Sequence, residues 1–192
     1  MTDFFLKILM GFTLSSILVQ AQARAVSLPQ KCQGRPGYIH ANGGGFVEDT
    51  SFVDEGAFVG PDAVVCRESY INRGVRVSGN AHIVNTNIFG TAQVSGNAYI
   101  RDSVINDQVR IYGSAHVTNS TISENAAIFG AARVDLSTVE GDARVYQDAQ
   151  VNQCELRGTV QVHGTARLTD QTLNEGNINS GVHRSIFSFS GL

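Results

Sequence analysis

The chain has no tryptophan, three prolines and three cysteines in 192 residues, and only 16% of its residues are charged. Each shortage excludes something. A disordered tail would be charge-rich and poor in valine and isoleucine, whereas 42% of this sequence is hydrophobic. Lys+Arg total 14 against Asp+Glu 17, a net charge of −3. That leaves no basic field for nucleic acid or an anionic membrane surface, so neither is expected as a partner. Cys32, Cys66 and Cys154 form no Cys-x-x-Cys pair, which sets aside a zinc knuckle and a thioredoxin-type redox site. Beyond Val19 no segment approaches the ~20 apolar residues needed to cross a bilayer. Glycine, at 20 residues, is what the chain has in quantity, and it suits many short strands closed by small-residue turns.

The N-terminus carries Lys7, an apolar run from Ile8 to Val19, and then Ala21-Gln22-Ala23. A short apolar run ending in small residues reads as a secretory signal over residues 1–23, cleaved near Ala23. The mature chain is therefore expected to be secreted or periplasmic, with no transmembrane segment. Disulfides can persist in such a compartment.

Self-similarity governs residues 42–179. Aliphatic residues recur six apart at Val47, Val53, Val59, Val65, Ile71, Val77 and Ile83, and then in a 5-6-6 cycle from Ile88 to Leu173. The coil is thus 18 residues at first and 17 thereafter. Two residues before the aliphatics stand small ones, among them Ala63, Ala81, Ala98, Ala115, Ala132, Ala149 and Ala166. A second small column runs Ser51, Ser69, Thr86, Ser103, Ser120, Ser137 and Cys154, and a third alternates Ala57, Val75, Ala92, Val109, Ala126, Ala143 and Val160. Small beside large at i and i+2 suits strands whose side chains enter a narrow core. Three inward pairs per coil predict an all-β, three-sided parallel β-helix of about eight coils, a rod of roughly 38 Å at ~4.8 Å per coil. Glycines after the aliphatics, at 79, 96, 113, 130 and 164, mark one of its corners.

Segments such as Val77-Ser-Gly-Asn-Ala-His-Ile83, Val94-Ser-Gly-Asn-Ala-Tyr-Ile100 and Ile111-Tyr-Gly-Ser-Ala-His-Val117 resemble the hexapeptide-repeat superfamily, in a polar Gly-Asn-Ala-x-Val/Ile subtype. The resemblance implies a left-handed, triangular β-helix and frequent homotrimers. Periodicity alone does not supply the hand. Function is only loosely implied, because the same architecture hosts acyltransferases, carbonic anhydrase-like enzymes and plain structural rods.

The open sheet ends of a β-helix need covering. Residues 24–41, with Pro29, Gly34, Pro36 and Gly37, read as an N-terminal cap, and 180–192, with Ile186, Phe187, Phe189 and Leu192, as a C-terminal cap. Phe46, Phe52 and Phe58 of the first coil are expected to lie under the N-terminal cap. Cys66 is taken as the extra residue of its 18-residue coil, projecting at a corner. A Cys32–Cys66 bridge would pin the neighbouring cap by about 3 kcal/mol, though the residues leave bridged and free forms open. Cys154 reads as a buried thiol in a serine-sized slot.

Candidate chemistry is thin. His82 and His116 share an outward column with Tyr99 between them, two coils or ~10 Å apart, too far to share one zinc ion within a chain. They remain candidates for a site between subunits. Carbonic anhydrase-like members pair histidines five apart, and no His-x-x-x-x-His occurs here. The acyltransferase members interrupt their coils with an excursion that helps build the cofactor site, and here the cycle runs unbroken from Ile83 to Leu173. Asp107 and Glu124 occupy one position on successive coils, a spacing compatible with a retaining glycosidase but equally with solvated corners. No catalytic residue, metal ligand set or cofactor is assigned.

More informative is an outward ladder of Tyr112, Phe129, Tyr146 and His163 on four successive coils, with Arg110, Ala127, Arg144 and Gln161 in a column further back. Such a strip steadies a sheet, seals a subunit seam, or binds a glycan or an envelope protein. The expected function is therefore an exported β-helical structural or binding module with no evident catalytic site. A hexapeptide-repeat enzyme is the alternative, an acyltransferase before a carbonic anhydrase-like one.

Overall fold

Residues 31–184 are described by a computed structural model of the chain. The chain divides into two units, 1–36 and 37–192. Of the first, the described part holds a 3-10 turn, Lys31–Gly34, in which Cys32 and Gln33 take left-handed backbone angles of φ 50 and 62. The leader expected at 1–23 and the apolar residues of the C-terminal cap lie outside the described residues. No helix among the described residues is long and apolar enough to cross a membrane.

The second unit is a parallel β-solenoid of about eight coils. Its first coil opens with strand β1, Gly37–Ile39, and continues through β2, Phe46–Glu48, β3, Phe52–Val53, and β4, Phe58–Val59. Every later coil repeats β2, β3 and β4, giving three sheets of ten, eight and eight strands. The register steps by 17: Tyr99 pairs with His82 and His116, Val104 with Asn87 and Thr121, and Arg110 with Gln93 and Ala127. Periods of this length come from two- and three-residue strands that each place one aliphatic inward. Val47, Val65, Ile83, Ile100, Val117 and their counterparts on the other two sides are essentially inaccessible, as are the alanine column and the Ala/Val column.

The corners turn by a common device. After each sheet one residue adopts positive φ: Arg67, Asn85, Asp102, Asn119, Leu136, Gln153 and Asp170 after the first; Gly74, Gly90, Asp107, Glu124, Gly141 and Gly158 after the second; Gly79, Gly96, Gly113, Gly130, Gln147 and Gly164 after the third. Asparagine and aspartate tolerate this region, and glycine occupies it freely. Leu136 does not fit that chemistry. It sits at φ 49 with 53% of its surface exposed, between Asn119 and Gln153 in the column. Left-handed backbone costs an ordinary L-residue roughly 1–2 kcal/mol, and nothing buried repays it here. Leu136→Asn should therefore raise stability by about 1 kcal/mol. An unchanged urea midpoint would count against that account.

Two expectations need correction. Cys66 is not a projecting corner residue. It is the last residue of strand Val64–Cys66, pairs with Val84 and is 2% exposed. The register moves by 18 at Val64↔His82 and by 17 at Tyr70↔Asn87, so the inserted residue lies between Cys66 and Tyr70. Arg67 and Asn85 share the left-handed corner, and the Thr86 amide donates to the Ser69 hydroxyl. Glu68, exposed, is thereby the extra residue.

The second correction concerns the phenylalanines of the first coil. Phe46 is fully buried beneath β1, which pairs antiparallel with β2. The turn that follows β1 covers β4, because the Val59 amide donates to Asn42 and the Gly45 amide donates to Val59. Gly43 makes that approach feasible. At φ +115 it holds an angle foreign to side-chain-bearing residues, and a Cβ there would stand 2.3 Å from the Val59 carbonyl oxygen. Neither segment reaches β3, so Phe52 stays 55% exposed. At the other end the expected cap begins as a strand, since Val182–Arg184 extends the first sheet beyond residue 179. The steps shorten there to 16 at Gln161↔Asn177 and 15 at Arg167↔Val182.

Candidate functional site

The four rings of the outward ladder stack as one column. Tyr112 and Phe129 have centroids 4.8 Å apart with planes 4° from parallel, Phe129 and Tyr146 4.9 Å and 7°, and Tyr146 and His163 4.7 Å and 4°. The spacing is that of the strands, because each ring follows an inward aliphatic of the third sheet and inherits the ladder's register. Each stacked pair contributes about 0.5–1.5 kcal/mol beyond area burial. At one end His163 Nε2 lies 2.6 Å from Asn177 Oδ1, and the Tyr146 hydroxyl donates to Gln161. At the other end the column continues with Ser95, too small to cover a ring, and Tyr112 is 40% exposed.

Beside the rings lies a groove of about 370 Å³, lined by Gln108, Arg110, Tyr112, Asn125, Ala127, Phe129, Asp142 and Arg144. Its depth has a simple origin. On the outer face of the third sheet Arg110 and Arg144 flank Ala127 in register. The short alanine leaves a hollow between two long side chains.

The other sequence candidates separate. His82, Tyr99 and His116 do share a column, with ring centroids 5.5 and 5.8 Å apart, so Tyr99 stands between the two histidines. His82 is half-buried, its Nε2 is 3.3 Å from Cys66 Sγ, and burial pushes its pKa below the ordinary histidine value. His116 is exposed. The carboxylate of Asp107 accepts the Glu124 amide at 3.2 Å, and both residues occupy left-handed corners. That engagement gives the pair a turn-forming role.

The small Ser/Thr column is a hydrogen-bond ladder. Ser103, Ser120 and Ser137 each donate their hydroxyl to the carbonyl two residues back, and each accepts the amide of the next coil's column residue. Cys154 continues it, donating Sγ–H to Asn152. It is the free cysteine among the described residues, and burial pushes its thiol up despite opposing backbone hydrogen bonds, which makes it a poor nucleophile.

Sequence reasoning missed two features. Phe52, Tyr70 and Phe89 form a second aromatic run, 5.1 and 5.5 Å between neighbouring centroids, which the 18-residue spacing of Phe52 and Tyr70 could have signalled. It borders a recess of about 590 Å³ lined by Tyr38, Ile39, Phe52 and Val53 among others, which contains none of the expected site residues. Glu48 is the other: a carboxylate 1% exposed, accepting the Thr50 hydroxyl and the Arg67 amide.

Against known proteins, no curated sequence matches the chain. The family model of the GMPPB C-terminal domain matches residues 47–123, the first four coils and part of the fifth, so over that stretch the chain is similar to a domain of the hexapeptide-repeat-like β-helix kind.

Proposed function

We propose that the protein is an exported, left-handed β-helical binding module of the polar hexapeptide subtype. Its contact surface is the strip of Tyr112, Phe129, Tyr146 and His163, and its ligand is a glycan. The observation that carries this reading is the near-parallel stack of these rings with an open groove running beside them. A rigid sheet holds the rings in place, so binding need not order them. Export rests on the leader-like residues 1–23, and the same compartment favours a Cys32–Cys66 bridge. Cys154 being the free cysteine is consistent with that pairing. The enzyme readings gain no residues: the Tyr99 ring separates His82 from His116, and Asp107 is engaged with a neighbouring amide.

The test compares the native protein with Tyr112→Ala/Tyr146→Ala by native mass spectrometry, glycan-array binding and circular dichroism. Metals are quantified before and after a chelator. The double variant should keep its β-sheet spectrum and lose glycan binding at least tenfold. Binding and mass both unchanged would remove the strip from the function. A trimer that disperses in the variant, with no glycan bound by the parent, would make the strip a subunit seam. A metal-bearing trimer would revive an enzyme and make His82 and His116 the residues to substitute.

A further inference from the structure

We infer that the groove between Arg110 and Arg144 selects an acidic oligosaccharide, one carrying a carboxylate on alternate sugars. The inference rests on the strip being a ligand surface and adds the chemical class of the ligand. Arg110 and Arg144 are both exposed, and among the described residues neither guanidinium has an ion-pair or hydrogen-bond partner. Arg73, Arg101 and Arg157, by contrast, each meet a carboxylate. Arginine side chains held apart over a hollow, with their donors unused, present a site for anions that match the guanidinium fork.

Spacing narrows the choice. The two arginines stand two coils apart, about 9.6 Å along the solenoid. A β-linked sugar chain running along that axis advances by about one ring per coil, so charges on alternate sugars meet successive arginines while the intervening ring lies over Ala127. Gln108, Asn125 and Asp142 supply amide and carboxylate groups along one wall, suited to ring hydroxyls, and Tyr112 and Phe129 supply the other. Asp142 offsets one positive charge, leaving the lining at a net single positive charge. Asp107 and Glu124, each one residue before a lining residue, do not line the groove.

A peptide would gain little here. The strands beneath the groove have neighbours on both sides, so no free sheet edge is offered for backbone pairing. Nucleic acid is disfavoured by the chain's net charge of −3. A uniformly anionic polymer would also set its intermediate charge over the apolar Ala127.

The experiment titrates the full chain with three probes of defined structure: hyaluronan hexasaccharide, with a carboxylate on alternate sugars; fully N-acetylated chitohexaose, its uncharged counterpart; and hexaglutamate. We expect hyaluronan hexasaccharide to bind at least tenfold more tightly than either control, with affinity falling as salt rises. Arg110→Gln/Arg144→Gln should reduce that affinity to the chitohexaose level while the circular dichroism stays intact. Equal affinity for the charged and neutral sugars, matching affinity for hexaglutamate, or indifference to the arginine substitutions would each overturn the acidic-glycan assignment. Hyaluronan binding that survives undiminished in the arginine variant and is lost in Tyr112→Ala/Tyr146→Ala would overturn it while leaving the binding module standing. No sugar bound by the parent protein would overturn both.

Discussion

Ile111→Ala is expected to cost about 3 kcal/mol, the largest loss among the substitutions considered. The side chain is fully buried at mid-solenoid, with Val94 and Ile128 pairing with it from the coils on either side. Removing three carbons leaves a void that these neighbours cannot close. Their backbones are pinned in parallel ladders, and a coil cannot move inward without breaking bonds to two others. Leu173 tests the same idea at the end of the stack. It is only partly buried, and Leu173→Ala should cost about 1 kcal/mol, because water already reaches it and only one full coil borders it. Urea unfolding followed by circular dichroism separates the two. Equal midpoint shifts would mean that stability is not distributed coil by coil with its weak point at the end.

The inward columns were legible because burial leaves their positions no freedom. A three-sided core admits one aliphatic and one small residue per side, and the sequence repeats that demand from Val47 to Leu168, with Leu173 loosening at the end. Corner residues were less legible. A left-handed turn constrains only the backbone, so Arg67, Asn85, Leu136 and Gln153 can share one column with unlike side chains. An 18-residue count announces an insertion without locating it, so counting alone points to Cys66 where strand pairing assigns the extra residue to Glu68. The fate of Phe52 was hidden for a different reason. Which strands a capping segment crosses depends on its path in space, and β1 with its following turn covers β2 and β4 but not β3. The aromatic strip could be read from the 17-residue spacing. The groove beside it could not, since its depth comes from the contrast of Ala127 with two arginines in register.

Ser120→Ala should cost about 2 kcal/mol, although it removes a single oxygen from a slot that reads, in the sequence, as merely small. The Ser120 hydroxyl donates to the Thr118 carbonyl at 2.6 Å and accepts the Ser137 amide at 3.1 Å. Thr118 keeps a second partner, since the Leu136 amide also reaches its carbonyl at 3.2 Å. Ser137 is 4% exposed, so its amide loses its acceptor where water does not readily replace it. The loss is therefore mainly that of a stranded donor, and restoring an acceptor should restore stability. Ser120→Cys supplies a weaker one and should fall between alanine and wild type. Cys154 already places sulfur in this column, its Sγ–H donating to the Asn152 carbonyl at 3.1 Å. Cys154→Ser should accordingly be tolerated within about 0.5 kcal/mol. Urea midpoints at constant m would order the set as Ser120→Ala below Ser120→Cys below wild type. If Ser120→Ala proved neutral, the column would be small for packing alone, and the hydroxyls would have no part in holding successive coils together.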